Sequence, residues 1–292
     1  MINERNFWNK LRILVTNKCN YRCPFCHNEG QEKEGKTDVL SLKDFVRFIE
    51  FVKEQDISEL HFSGGEPFLN NCIVDMIEYV DINTAWGIGC ATNLSIITDE
   101  QIQRLSKTRI KFNIQFPFAN SSLFKLSTGN GDFQHITNQI KKVQKAGICI
   151  GLNSVVQSGN IEDIKSLISF AIEHQLPLKL LPQIGLEGSN DFKNQIYPLL
   201  QDICIEVKDK GTGALRWVVE RAGKQTVILY IDSPCFDHDI DECREFGELR
   251  VHPDLSIQPC IFKMPTTRLN LDEGKETVLN QMANLWNDFK HC

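Results

Sequence analysis

Short β-rich runs alternate with amphipathic helical stretches through the first part of the chain, from residue 11 to residue 184. Such alternation predicts parallel βα units, because two parallel strands need a crossover connection and a helix supplies it. One of the helices is predicted to begin after Ser41, since Asp44 follows three residues later and apolar residues then recur at helical spacing. The runs predicted to be strands are residues 11–16, 59–63, 85–92, 110–116, 148–156 and 178–184.

Six consecutive βα units predict an α/β fold, built either as a partial (β/α)6 barrel or as a doubly wound sheet. In both architectures, ligands bind beyond the carboxyl ends of the strands. Motifs that carry chemistry should therefore lie directly after strands.

The pattern changes after Ile184, where a polar loop leads into a smaller region of mixed helices and strands. A helix is predicted near residues 196–208, and a terminal helix over 278–289. The β-like runs between them are residues 215–220 and 227–231 and a hairpin over 248–259. We therefore predict two domains, residues 1–190 and residues 191–292, the second a small α+β region.

Charge and hydropathy exclude several classes of protein. The 32 Lys and Arg residues against 38 Asp and Glu residues give a formal charge of -6, unlike a protein that binds a nucleic-acid polymer or a membrane surface. Every apolar run falls far short of the roughly 20 residues that cross a bilayer. Residues 1–10 lack the apolar core of a signal peptide. We therefore expect a cytoplasmic protein.

The chain contains 11 cysteines, an unusual number for a reducing compartment, in which structural disulfides are rare. Metal ligation or redox chemistry explains them better, and two groups of cysteines predict two sites. The first group is Cys19, Cys23 and Cys26, and the second, more loosely spaced, is Cys235, Cys243 and Cys260. The cysteines expected to be buried packing residues are Cys72, Cys90, Cys149 and Cys204.

The first group forms CxxxCxxC, in the segment CNYRCPFC, immediately after the first predicted strand. Thiolates at this spacing on a loop converge on an iron–sulfur cluster or a zinc ion, because both take soft sulfur ligands. Three cysteines on a 4Fe-4S cluster leave one iron free to bind a substrate or a cofactor. A zinc site would need a further ligand from elsewhere in the chain.

These residues resemble the radical S-adenosylmethionine (radical SAM) superfamily, whose hallmark is CxxxCxxC in the loop after the first barrel strand. At the end of the second strand, the segment SGGEP (residues 63–67) is similar to the family's GGEP motif, whose polar groups receive the methionine amino group. The resemblance covers residues 11–184 and implies a partial (β/α)6 barrel, S-adenosylmethionine, and a 4Fe-4S cluster on the catalytic residues Cys19, Cys23 and Cys26. The residues that it places at the cofactor are Phe25, Gly64, Gly65, Glu66, Asn93, Gln115, Asn153 and Ile184.

A later segment, LRVHPDLSIQPCIF, resembles the cluster hairpin of the GTP cyclase family of molybdenum-cofactor biosynthesis, which holds a second 4Fe-4S cluster with three cysteines. Cys243 and Cys260 are separated as the first and third of those cysteines are. The middle cysteine aligns with Phe246, so we predict that Cys235 is the third ligand, with Cys292 as the fallback. The alternative is three reduced cysteines around a hairpin.

Arg12 and Arg250 align with arginines that contact GTP in that cyclase family. Other basic positions are lost, because His61, Gly151 and Glu248 stand in their places, and the sequence ends in His-Cys rather than in the family's two glycines. We therefore expect a reaction other than GTP cyclisation. Arg12 and Arg250 are predicted to face one cavity and bind a substrate phosphate or carboxylate, which suits the forked guanidinium donor. Ordinary salt bridges at a domain seam are the alternative.

The resemblance implies a radical SAM enzyme that reductively cleaves S-adenosylmethionine to a 5′-deoxyadenosyl radical. We expect this radical to abstract hydrogen from a small anionic, nucleotide-like substrate, for cyclisation or rearrangement in a biosynthetic pathway. The alternative enzyme is a maturase that crosslinks or epimerises a ribosomally made peptide. An iron–sulfur electron carrier is disfavoured, because it would give the GGEP-like motif no role. The implied protein partner is a flavodoxin- or ferredoxin-type electron donor, and neither a membrane nor a nucleic-acid polymer is expected.

Overall fold

The computed structural model describes residues 8–26, 38–156, 161–210 and 214–290. Six parallel strands follow one another in the sheet in chain order. They are β1 (Lys10–Leu14), β2 (Glu59–Ser63), β3 (Gly87–Thr92), β4 (Ile110–Gln115), β5 (Cys149–Val156) and β6 (Leu178–Pro182). The helices that connect them are α1 (Leu42–Val52), α2 (Ile73–Asn83), α3 (Asp99–Leu105), α4 (Ser121–Thr128), α5 (Phe133–Lys145) and α6 (Ile161–Glu173).

The barrel strands present alternate residues to two faces, because successive side chains of a strand point to opposite sides. On β1, Leu11 and Ile13 are fully buried in the hydrophobic core, which they share with Phe45 of α1. Arg12 lies on the opposite side, which we call the inner face. Helix α1 begins as predicted, because the Ser41 hydroxyl accepts a hydrogen bond from the backbone N–H of Asp44 at 3.0 Å. The predicted α/β fold with a partial barrel of parallel strands is confirmed.

The remaining elements extend the same sheet at both edges. They are α7 (Lys193–Gln201), β7 (Cys204–Asp209), β8 (Ala214–Arg221), β9 (Lys224–Ile231), α8 (Ile240–Glu245), β10 (Glu248–Val251), β11 (Ser256–Gln258), β12 (Thr267–Arg268) and α9 (Lys275–Asp288). Strand β9 adds parallel to β6 and leads into β8 and β7, whereas β10 adds parallel to β1 and leads into β11 and β12. The strands after residue 190 therefore share the barrel's sheet, and the division into two domains stays a prediction.

The prediction of a helix near residues 196–208 is wrong for the second half of that range. Helix α7 ends at Gln201, and β7 then pairs with β8 in antiparallel orientation. Ile205 and Val207 alternate with charged residues, and this period of two residues suits a strand rather than a helix.

The cysteines outside the two groups differ in burial. Cys90 is buried in the core, as expected, whereas Cys72 and Cys204 are half-buried. Cys149 is exposed because it opens β5 at the amino end of the strand, so the expected packing role is wrong for this residue.

The helices in the described ranges are short. The longest, α9, has 14 residues, and none is both long and apolar enough to cross a membrane.

Candidate functional site

The loop that carries the first cysteine group follows β1 and is held by the loop that follows β2. Three backbone hydrogen bonds join the two loops: the N–H of Val15 donates to the carbonyl of Ser63 at 3.0 Å, that of Gly65 to Thr16 at 2.9 Å, and that of Glu66 to Lys18 at 2.7 Å. The SGGEP segment therefore fixes the path of the backbone directly before Cys19.

The two glycines of this segment allow the loops to approach this closely. Gly64 has a φ of +127°, which strongly favours glycine. A Cβ on Gly65 would lie 1.8 Å from the carbonyl oxygen of Lys18 and 2.9 Å from the backbone nitrogen of Cys19. The two glycines thus let the SGGEP segment pack directly against the backbone of the cysteine loop. The sequence did not reveal this contact.

Glu66 is buried, with 1% of its surface exposed, and its carboxylate bonds within the protein. It accepts hydrogen bonds from the hydroxyl of Thr92 at 2.7 Å, from the backbone N–H of Asn93 at 2.7 Å and from that of Phe68 at 3.2 Å. Burial raises the pKa of Glu66 to about 7, because desolvation outweighs the three donors that favour the charged form. These contacts make Glu66 a residue that ties the end of β2 to the end of β3.

Asn93 links the end of β3 to the cysteine loop. Its side-chain amide donates to the Asn20 side-chain oxygen at 2.8 Å, and its own oxygen accepts from the backbone N–H and the hydroxyl of Ser95. Asn20 in turn donates to the Ser95 hydroxyl at 2.7 Å. Asn20 and Ser95 were missed from the sequence, although Asn20 lies inside the CxxxCxxC motif.

The three thiols of the first group are half-buried and act on one another electrostatically. Burial raises the pKa of Cys19, and it raises the pKa of Cys23 to about 12, with a further contribution from the charges of neighbouring thiolates. Within the described ranges, no three His, Cys, Asp or Glu side chains are arranged to hold a single metal ion. A 4Fe-4S cluster takes each cysteine on a different iron, and its positive irons favour the thiolate forms, so this donor set fits such a cluster.

Gln115 and Asn153 lie side by side on the inner face, in register on β4 and β5. The Gln115 side-chain nitrogen and the Asn153 side-chain oxygen are both buried and have no hydrogen-bond partner among the described residues. A buried donor and a buried acceptor left without partners cost free energy unless a ligand satisfies them. A ribose, whose hydroxyls both donate and accept, fits this pair.

The two apolar residues predicted at the cofactor lie at strand-following positions. Phe25 is buried, with 5% exposed, and directly precedes Cys26. Ile184 is half-buried and lies two residues after β6. Their contact with a cofactor stays a prediction.

The structure brings two cysteines of the second group together. A hydrogen bond between the thiols of Cys235 and Cys243 lowers the pKa of Cys235 to about 6, against the effect of burial, and the charge of Arg250 contributes. Cys260 is buried, with 7% exposed, just after β11. Cys292, the fallback ligand, lies outside the described residues.

Arg12 and Arg250 are register partners on the adjacent strands β1 and β10, and both contact Glu248. Arg12 donates to both carboxylate oxygens of Glu248 at 2.8 Å, and a guanidinium nitrogen of Arg250 lies 3.2 Å from one of them. Burial would raise the pKa of Glu248, but the charges of Arg12 and Arg250 outweigh it and hold this pKa well below its usual range. These contacts are the salt bridges that the sequence left as the alternative, and binding of a substrate anion stays a prediction.

Lys179 is an inner-face residue that the sequence analysis missed. Its ammonium donates to the Asn113 side-chain oxygen at 2.9 Å, and burial, followed by the charge of Arg12, lowers its pKa. The sequence feature that could have indicated this residue is a single lysine within the otherwise apolar segment LKLLP of β6.

Comparison with known proteins shows which family the chain resembles. The family model of the radical SAM superfamily matches residues 13–171. A GTP 3′,8-cyclase of Streptomyces coelicolor is 24% identical over 94% of this chain and 84% of its own length. A probable GTP 3′,8-cyclase of Pyrococcus abyssi is 26% identical over 87% of this chain and 84% of its own length.

Two solved structures share the fold over almost the whole chain. Streptococcus suis SuiB bound to S-adenosylmethionine has a TM-score of 0.73 at 17% identity, covering 97% of this chain and 66% of SuiB. The protein anSMEcpe with bound AdoMet has a TM-score of 0.67 at 15% identity, covering 95% of this chain and 79% of that one. The chain thus spans slightly less than two thirds of SuiB.

Proposed function

We propose a function from the premise that this chain belongs to the radical SAM superfamily and is a radical SAM enzyme. Membership implies one 4Fe-4S cluster and S-adenosylmethionine. When bound, they supply reductive cleavage of the sulfonium and a 5′-deoxyadenosyl radical that abstracts hydrogen from a substrate. Cys19, Cys23 and Cys26 hold the cluster in this proposal and leave one iron for S-adenosylmethionine.

The observation that carries this assignment is the clamped cysteine loop at the carboxyl end of β1. The backbone of Gly65 and Glu66 holds the loop, and Asn93 anchors it from β3 through Asn20. Rigid positioning of the cysteines fixes the cluster, and the unsatisfied polar atoms of β4 and β5 on the inner face receive the ribose. The barrel wall excludes water, which protects a radical from quenching.

For the substrate, we propose a small anionic, nucleotide-like molecule that is cyclised or rearranged in a biosynthetic pathway. Arg12 and Arg250 lie in register on the inner face, and the GTP 3′,8-cyclase of Streptomyces coelicolor aligns with 94% of the chain. His61, Gly151 and Glu248 depart from that family's basic positions, so the reaction we propose is not GTP cyclisation.

A ribosomally made peptide is the second candidate substrate. Glu248 already occupies the forked donor of Arg12, which weakens the case for a small anion bound at that arginine. The SuiB structure bound to its precursor peptide SuiA also shares this fold, with a TM-score of 0.66 over 97% of the chain.

We further propose a second 4Fe-4S cluster on Cys235, Cys243 and Cys260, and reduction by a flavodoxin- or ferredoxin-type protein in the cytoplasm. The contact between the thiols of Cys235 and Cys243 supports the cluster, as does the burial of Cys260 on the hairpin beside β10. Arg250 acts on Cys235, so this group lies near the inner face, where it could ligate substrate or accept an electron.

The central test measures 5′-deoxyadenosine formed from S-adenosylmethionine by the anaerobically reconstituted, dithionite-reduced protein. Changing Cys19, Cys23 and Cys26 together to Ala should abolish the product and remove one cluster's iron. Cys204→Ala, a half-buried thiol on the edge strand β7, serves as the control and should retain both. Product formation by the triple variant would overturn the assignment.

The substrate class is tested by deuterium transfer into 5′-deoxyadenosine from deuterated candidates. We expect transfer from a nucleotide or nucleoside phosphate other than GTP. Transfer only from a peptide would favour the second candidate.

A further inference from the structure

Lys179 is a half-buried cation with no anionic group within salt-bridge distance among the described residues. Its ammonium has three donors, of which one is used, on the neutral side-chain oxygen of Asn113 at 2.9 Å. Within the described ranges, none of the ion pairs includes Lys179, and the charge of Glu59 reaches it only from a distance. Even partial burial of an unpaired ammonium costs free energy, and a bound anion would offset that cost.

The strand register places Lys179 next to the two residues proposed to bind the ribose. On β6 it is in register with Asn153, which is in register with Gln115, so the three side chains form one row across the inner face. From that row Lys179 reaches back across β5 to Asn113, two residues before Gln115 on β4. The β5 residue opposite Asn113 is Gly151, which has no side chain. The ammonium therefore lies on the amino-end side of the two residues assigned to the ribose.

Arg12 and Arg250, two other cations of the inner face, differ from Lys179, because they share one carboxylate. Glu248 contacts both Arg12 and Arg250, and Glu59 is engaged with His61 at 3.1 Å. Arg12 lies five strands from β6 in the sheet, but the sheet curves into a partial barrel, and the charge of Arg12 contributes to lowering the pKa of Lys179. Glu248 neutralises one of the two charges of Arg12 and Arg250, so a positive charge remains in addition to that of Lys179.

We propose that Lys179 binds an oxyanion of the substrate, a phosphate or carboxylate group of a small dianion, while Arg12 and Arg250, held by Glu248, flank it. This proposal rests on the proposed radical SAM function and moves the anion contact from the two arginines to the lysine. Asn113 is a positioning residue, because it holds the ammonium in place. The assignment adds a substrate-binding residue that the motif positions do not include.

The test is calorimetric titration of the reconstituted holoenzyme with inorganic phosphate and, separately, with succinate. The wild type should bind at least one of the two anions. Binding of phosphate indicates a phosphate group on the substrate, and binding of succinate indicates a carboxylate. Lys179→Met should weaken binding on the order of tenfold or more, because a charged hydrogen bond is lost, whereas Lys179→Arg should restore much of it. Lys142→Met removes an exposed lysine of α5 and should leave binding unchanged. Equal binding by Lys179→Met and wild type, or no binding of either anion by the wild type, would overturn the proposal.

A second measurement needs no variant. Acetylation of wild-type lysines, followed by mass spectrometry, should show that the bound anion slows modification of Lys179 but not of Lys142. An unchanged rate at Lys179 would overturn the proposal even if Lys179→Met failed to fold. Iron content and 5′-deoxyadenosine formed from S-adenosylmethionine alone should be the same in Lys142→Met as in the wild type. Absence of the clusters or of this product in the wild type would instead contradict the proposed function, so the two failures are distinguishable.

Discussion

Replacing Gly65 with Ala should release the cysteine loop from its clamp. The added Cβ would lie 1.8 Å from the Lys18 carbonyl oxygen, although real Cβ atoms essentially never come closer than 3.0 Å, so the backbone must move by more than an ångström. A shift of that size breaks the hydrogen bonds from Glu66 to Lys18 and from Gly65 to Thr16. Each lost hydrogen bond costs about 1 kcal/mol, strain adds to this, and the lower entropy of the unfolded chain offsets part of it. We therefore expect the free energy of unfolding to fall by about 2–3 kcal/mol.

The assay is the thermal unfolding midpoint together with iron per chain after anaerobic reconstitution. A loss of this size in a chain of 292 residues corresponds to a fall of roughly 3–5 °C. Iron should also fall, because the same Cβ would lie 2.9 Å from the Cys19 backbone nitrogen. Gly87→Ala is the matched control, since its Cβ would first meet the flexible Glu59 side chain, at 3.3 Å. Full iron and an unchanged midpoint in Gly65→Ala would refute the clamp.

Three further predictions follow from the charges and the second cysteine group. The depressed pKa of Glu248 means that its ionised form stabilises the fold above about pH 4.3 and that this contribution is lost on acidification. Glu248→Gln should therefore make the thermal unfolding midpoint depend less on pH below about pH 4.3, and an unchanged pH dependence would contradict this. Burial raises the pKa of Glu66 to about 7, so the protein loses stability as pH rises from about 4.3, the unfolded value, to about 7. In denaturant titrations across this pH range, the difference in unfolding free energy between wild type and Glu66→Gln should shrink. A growing difference would contradict the prediction. Changing Cys235, Cys243 and Cys260 together to Ala should leave roughly half the iron and permit cleavage of S-adenosylmethionine without substrate turnover; a full iron complement would exclude a cluster there.

The local pattern of the sequence determined the barrel and the place of its chemistry. All six parallel strands occur where they were predicted, and β2 matches residues 59–63 at both ends. The cysteine loop and the SGGEP segment follow their strands, because strand periodicity and short motifs depend only on neighbouring residues. The same local reasoning failed at β7, where pairing with β8 overrode the predicted helix.

Only the tertiary structure decided which side chains meet. Sequence spacing does not show that Glu66 faces Thr92 rather than solvent, or that β10 adds beside β1 and places Glu248 against Arg12. The surroundings of Lys179 also depend on the tertiary structure, because the charge of Arg12 on β1 acts on this residue of β6 across the curved sheet. Such contacts join residues far apart in the chain, so they depend on how the strands are ordered and curved, which no local pattern encodes.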